Sequence, residues 1–292
     1  MSATEILSLN PKRVWKHFYE LTQIPRPTGH MEKVTQFIKD FGEELGLEVE
    51  QDKVGNVLIR KPATKGFEST KTVILQSHLD MVPQKNSDVT HDFLNDPIQA
   101  YVDGDQVKAK STTLGADNGI GCAMMMAVLE DKMLNHPAIE ALFTIDEEVG
   151  MDGANGLEKG FLKGTVMLNL DTEADNELCI GCAGGRDVNI TFNFQPDTEI
   201  DKDDIAYKIS LRGLKGGHSG VQIHLGHANA NKLMNRFLKE VVRDYEARLA
   251  SINGGSLRNA IPRESFVVLT IPSHLEDDLI DLVDEFQTQF RE

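Results

Sequence analysis

At 292 residues and 40% hydrophobic content, the chain is long enough to build two domains with cores of their own. Its 46 Asp and Glu against 30 Lys and Arg leave a net charge of −16, which opposes binding to phosphate backbones or anionic lipid and excludes nucleic acid and membranes as expected partners. No apolar run spans a bilayer, no secretory signal pattern opens the chain, and three cysteines cannot all pair, so a reducing, cytoplasmic location is expected.

Residues 30–46 place Val34, Phe37, Ile38, Phe41 and Leu45 on one helical face. Short β-branched runs follow at Asn56–Arg60, Thr72–Gln76, Ile139–Ile145 and Thr165–Leu170, with a helical stretch at Asn118–Asp131 between two of them. Nearly all-apolar strands alternating with helices predict an α/β domain, a mainly parallel sheet with helices on both faces. At Gly184-Gly185 the pattern changes, giving domains at residues 1–186 and 187–292. The second should hold a strand at Asp187–Phe194, an exposed acidic loop at Asp197–Asp204, and a strand at Ala206–Arg212. A helix at Ala228–Leu249, a strand at Ser265–Ile271 and a last helix with Ser273 and Glu276 as a capping box complete it. Leu275, Leu279, Leu282, Val283, Phe286 and Phe290 form one apolar stripe on that helix. The stripe needs cover, and with the chain stopping two residues later it reads as a sign of truncation.

The chemistry lies where strands end. Thr72–Gln76 runs into Ser77-His78-Leu79-Asp80, so His78 and Asp80 point to the same side, as a metal ligand and its orienting carboxylate would. Ile139–Ile145 runs into Asp146-Glu147-Glu148, and Val166–Leu170 into Asp171-Thr172-Glu173. Each group alone is compatible with a solvated acidic turn. Three in succession point to one sheet edge, where open α/β sheets bind ligands. Asp117, flanked by glycines at the start of a helix, either caps that helix or bridges two cations. Met124, Met125 and Met126 read as core packing. Cys179 and Cys182 form a CxxC with no second pair, which reads as small-residue packing.

The segments SHLDMV, TTLGADNGIG, TIDEEVGMDGA, NLDTE and GCAGGRD, with LKGGHSG and LRNAIPRE further on, resemble the aminoacyl-histidine dipeptidase (carnosinase-like) branch of the M20 metallopeptidases. The resemblance covers essentially the whole chain. It implies a zinc-peptidase-like catalytic domain with an α+β lid domain, His78 and Asp171 on one zinc, Glu148 on the other, and Asp117 bridging both across a cis Asp117–Asn118 peptide. Asp80 would orient His78 and Glu147 would be the general base. From the lid, His218 would reach the substrate carbonyl and Asn259 would contact substrate, while His224 and His227 read as structural. Two Zn2+ ions are implied, with Co2+ or Mn2+ as substitutes, and so are dipeptide substrates of the Xaa-His type and a homodimer. Members of this branch are longer and carry a further histidine for the second zinc in a returning segment. A catalytically incomplete fragment that keeps a metal site, or an M20-type deacetylase, are the alternatives, and this chain alone is expected to hydrolyse dipeptides poorly.

Overall fold

A computed structural model describes residues 3–174, 176–181, 188–197 and 200–291. The chain divides into two compact units, Met1–Gly184 and Gly185–Glu292. Gly184, Gly185, Cys182 and Asp187, on which parts of the sequence reading rest, lie outside the described residues.

The first unit runs α1 (Ala3–Ser8), α2 (Lys12–Thr22), α3 (Glu32–Glu44), β1 (Glu48–Gln51), β2 (Val57–Lys61), β3 (Val73–His78), β4 (Ala100–Asp103), β5 (Gln106–Ala109), α4 (Ala116–Glu130), β6 (Ile139–Thr144), α5 (Asp152–Asn155) and β7 (Val166–Asn169). Its main sheet has the order β1-β2-β6-β3-β7. The three strands β6, β3 and β7 are parallel, while β2 and β1 extend one edge antiparallel. β4 and β5 form a separate hairpin. Val57, Leu58 and Ile59 are fully buried in succession, as befits strands covered on both faces. Val57, Ile59, Ala141 and Phe143 pack with Phe18, Val34, Ile38 and Met125 from α2, α3 and α4. On the opposite face Leu58, Ile74 and Leu142 meet Leu157, Phe161 and Leu162, so among the described residues this side has a lighter cover, from the segment after α5.

Two buried polar groups fasten the connections that matter for the site. The Glu140 carboxylate accepts the backbone N–H of Lys163 (2.9 Å) and Gly164 (2.8 Å), anchoring the approach to β7. Asn56 accepts Ile145 N–H (3.2 Å) and donates to the Gly153 carbonyl (2.8 Å), which shapes the turn after β6. Both are almost wholly buried, where an unmade hydrogen bond would be costly. His17, also buried, lies between Glu20 (2.9 Å) and Glu130 (2.6 Å) and so ties α2 to the far end of α4.

The second unit contains β8 (Asp204–Leu211), α6 (Ala230–Asp244), β9 (Arg248–Gly254), β10 (Ser265–Pro272) and α7 (Glu276–Arg291). Its antiparallel sheet has the order β8-β10-β9. Both helices pack on one face, Met234, Phe237 and Val241 of α6 and Leu279, Leu282 and Phe286 of α7 meeting Val267, Leu269 and Ile271. The apolar stripe of the last helix is therefore covered from within its own unit, against expectation, because β8, β10 and α6 supply the partner surface.

Four further readings are corrected. The described residues 188–194 form no strand, and Val188, Ile190, Phe192 and Phe194 are exposed. The helix expected to reach Leu249 ends at Asp244, and Arg248–Gly254 is a strand. Ser273 opens a short 3-10 turn without a side-chain cap, and Glu276 accepts the Tyr207 hydroxyl instead of closing a capping box. Cys179 is exposed, as are Leu178 and Ile180 beside it, so this segment does not pack as expected. Asp197 and Asp201 are exposed and face Arg248 at 3.6 Å each.

Candidate metal centre

Because β3, β6 and β7 run parallel in register, with His78 opposite Thr144 and Gln76 opposite Asn169, their carboxyl ends open on one edge. The ladder continues one step past the strands, Leu79 N–H donating to Thr144 O (2.8 Å) and Leu170 N–H to Gln76 O (2.9 Å). These bonds fix where His78, the Glu147-Glu148 turn and Asp171 leave the sheet.

His78 is buried, and its two ring nitrogens face different groups. Nδ1 lies 3.2 Å from the Asp80 carboxylate and 3.1 Å from the Asp80 carbonyl. Nε2 lies 2.9 Å from Asp117 Oδ1, 3.6 Å from Asp171 Oδ1 and 4.0 Å from Glu147 Oε2. Asp80, fully buried, also accepts the Thr28 hydroxyl (3.0 Å) and the backbone N–H groups of Glu147 (3.1 Å) and Glu148 (3.2 Å). One carboxylate thus orients the imidazole and holds the Glu-Glu turn against the end of β3.

Asp117 does not act as a helix cap. Gly115 occupies the cap position in a left-handed conformation, Asp117 and Asn118 have non-helical dihedrals, and the peptide between them is cis, as the family resemblance implied. The Asn118 amide donates to Asp171, so this loop is also joined to the end of β7.

The electrostatics follow from this crowding. Burial opposes a charge on His78, but hydrogen bonds with Asp117, Asp171 and Asp80 outweigh it and raise the imidazole well above its ordinary value. Burial and the neighbouring Asp117 push the Glu148 carboxyl up to about 8. Glu147 is raised as well, mainly by burial. Asp80 and Asp171 are lowered despite burial, chiefly through His78.

His78, Asp117 and Glu148 each offer a ligand atom, and these atoms lie within 4.8 Å of one another. An imidazole with convergent carboxylates has the chemistry of a divalent cation site, and a cation would offset both the burial and the Asp117 charge that raise Glu148. The donor set therefore fits a metal ion.

Residues 209–292 match the Peptidase dimerisation domain and residues 56–185 match Peptidase family M28. The chain is 48% identical over 285 residues to the cytosol non-specific dipeptidase of Escherichia coli (strain K12), a match covering 97% of this chain and 58% of that protein. Along nearly its whole length the chain is thus similar to a dipeptidase, and its second unit to an M20-type dimerisation domain. The crystal structure of aminoacylhistidine dipeptidase from Vibrio alginolyticus superposes on this chain with a TM-score of 0.61 at 47% identity, covering 99% of this chain and 59% of that one. A more distant relative, the uncharacterized protein YqjE of Bacillus subtilis (strain 168), is 24% identical over 97% of this chain and 72% of its own length. The chain thus spans 58% and 59% of the length of the two dipeptidases it matches at 48% and 47% identity.

Of the residues singled out in the sequence, the structure brings together His78, Asp80, Asp117, Glu147, Glu148 and Asp171. His218 and Asn259 belong to the second unit, where they adjoin: Ser219 N–H donates to Asn259 O (2.9 Å), and His218 bridges to Ala260. His218 Nδ1 accepts from Gly220 N–H (3.0 Å) and Val221 N–H (3.2 Å), which fixes its ring. Sequence reasoning missed Arg26, Thr28 and Asn118. Asn118 adjoins a singled-out aspartate and could have been noticed, whereas Arg26 and Thr28 sit in a Pro-rich loop with no pattern of their own.

Proposed function

We propose that this chain carries the metal-binding and proton-transfer groups of a zinc-dependent dipeptidase, one that prefers Xaa-His substrates. The convergence of His78, Asp117 and Glu148 on one locus, with Glu147 held beside it, carries the reading. His78 and Asp171 would hold one zinc, Glu148 a second, and Asp117 both, with Co2+ or Mn2+ as substitutes. Bound there, the ions would supply a Lewis acid for the scissile carbonyl and a more acidic water.

The chain's own groups do the rest. Glu147, its carboxyl raised by burial, is suited to accept a proton from water and release it to the leaving amine nitrogen. Asp80 keeps the His78 ring and the backbone of the Glu-Glu turn in place. In this reading residues 1–186 are the catalytic domain and 187–292 the lid, whose His218 stabilises the developing oxyanion and whose Asn259 contacts substrate. The dimerisation-domain match at residues 209–292 supports a homodimer, and the cytosol dipeptidase relative supports a cytoplasmic location. Among the described residues no helix is long and apolar enough to cross a membrane.

The experiment compares hydrolysis of carnosine-type dipeptides and acetylated amino acids, with zinc added, by the wild-type chain and Glu147→Gln, each joined to the remaining length found in the relatives. Dipeptide turnover that falls at least about 10²-fold in the variant is expected, general acid–base groups contributing ~10²–10⁴. Faster turnover of acetylated compounds would make the enzyme a deacetylase.

A further inference from the structure

Arg26 heads the fully buried side chains by size, and it sits under the metal-site edge without being a ligand. Its backbone belongs to one side of the site. Met81 N–H donates to Arg26 O (3.1 Å) and Thr28 N–H to Met81 O (3.2 Å), so the Arg26 segment runs beside the chain leaving β3. Its side chain reaches the other side. Nη1 donates to the carbonyls of Leu79 (2.8 Å) and Asp80 (3.3 Å), and Nη2 to the carbonyl of Gly115 (2.5 Å). One planar guanidinium therefore joins the strand end that carries His78 to the loop that delivers Asp117. Asp80 and Asp117 supply opposing charge, without which burying a cation would be prohibitive.

The glycines around Asp117 share this cause. A Cβ on Gly115 would stand 2.7 Å from Arg26 Nη2, and one on Gly119 would stand 2.5 Å from it. The Gly-Ala-Asp-Asn-Gly sequence is shaped to receive a guanidinium. Lysine could keep the charge but not the fork that spans two chain segments.

We propose that Arg26 is a positioning residue that sets the spacing between His78 and Asp117, and through it the affinity of the site for its metal. The proposal rests on the reading of these two residues as metal ligands. It requires that loosening the clamp frees residues 113–119 while the second unit is untouched.

The test uses Arg26→Lys and Gly119→Ala, the latter displacing the guanidinium without removing it. Circular dichroism checks folding. Hydrogen exchange is followed at residues 113–119 in zinc-free protein, and Zn2+ affinity is measured by competition with a chromophoric chelator. Exchange at 113–119 should quicken about tenfold or more, with β10 and α6 unchanged. Zn2+ affinity should fall about 10–100-fold, as for other groups that orient metal ligands. Should Arg26→Lys fail to fold, Gly119→Ala decides. Unchanged exchange, or faster exchange with zinc affinity within about twofold of wild type, overturns the proposal. Faster exchange in a chain whose wild type takes up no zinc would support the clamp and refute the metal reading instead.

Discussion

Asp80→Asn is the sharpest single perturbation of the site, because it preserves shape and changes only what two oxygens can do. Oδ1 accepts the Glu147 N–H, and Oδ2 accepts the Glu148 N–H and the Thr28 hydroxyl. Whichever way the amide turns, an NH2 group faces at least one of these backbone donors. A charge-assisted bond is lost and a buried donor stranded, for a cost of roughly 2–5 kcal/mol. For a unit of this size that corresponds to a melting temperature lower by about 5–15 °C. Calorimetry with chelator present, so that metal plays no part, reads the difference. Burial raises the Asp80 carboxyl, but His78 and the two N–H groups outweigh it and lower it. Its stabilisation is then present above the unfolded pKa of about 4 and is lost as pH falls through the folded value, so the gap from wild type should narrow in acid. A gap below about 0.5 kcal/mol at pH 7, the level of an ordinary surface change, or one that widens in acid, would refute the reasoning.

Three other outcomes are expected. Burial pushes the Cys122 thiol up to about 12, so a thiol reagent at pH 8 should leave it unmodified in the native chain and reach it only on unfolding, as peptide mapping would show. Zinc should bind more tightly as pH rises from 6 to 8 and release protons on binding, since ligands must be deprotonated; calorimetry in buffers of differing ionisation enthalpy counts them, and pH-independent affinity would contradict this. Leu279→Ala, at a site 2% exposed, should destabilise the second unit by about 2–5 kcal/mol in urea unfolding, whereas an exposed apolar stripe would have made it nearly neutral.

The sheet edge that gathers these groups was legible because each strand is a short apolar run and its carboxylates follow at once, so two local signals coincide at His78, Glu147-Glu148 and Asp171. What joins those groups was not. Arg26 acts through backbone carbonyls some 53 and 89 residues away, and carbonyls leave no mark in a sequence. Val188, Ile190, Phe192 and Phe194 alternate as a strand should, yet alternation needs a partner strand, and the described residues there have none. The end of α6 was missed because Glu246 turns the chain with a positive φ of 53° where no glycine or proline gives notice. The helical period runs on into Leu249, although that residue lies in β9. Ser273 and Glu276 have capping-box spacing, but Tyr207 on β8 competes for the glutamate, a tertiary contact that local spacing cannot reveal.

The central claim is that His78, Asp117, Glu148 and Asp171 form a metal site. Crystals of the chain grown with Zn2+, with diffraction data collected on either side of the zinc absorption edge, test it most directly. The account predicts an anomalous peak within bonding distance, about 2.0–2.2 Å, of His78 Nε2 and an Asp117 oxygen, with Glu148 and Asp171 completing the ligands. Zinc bound only elsewhere on the chain, with this cluster left empty at saturating Zn2+, would contradict it.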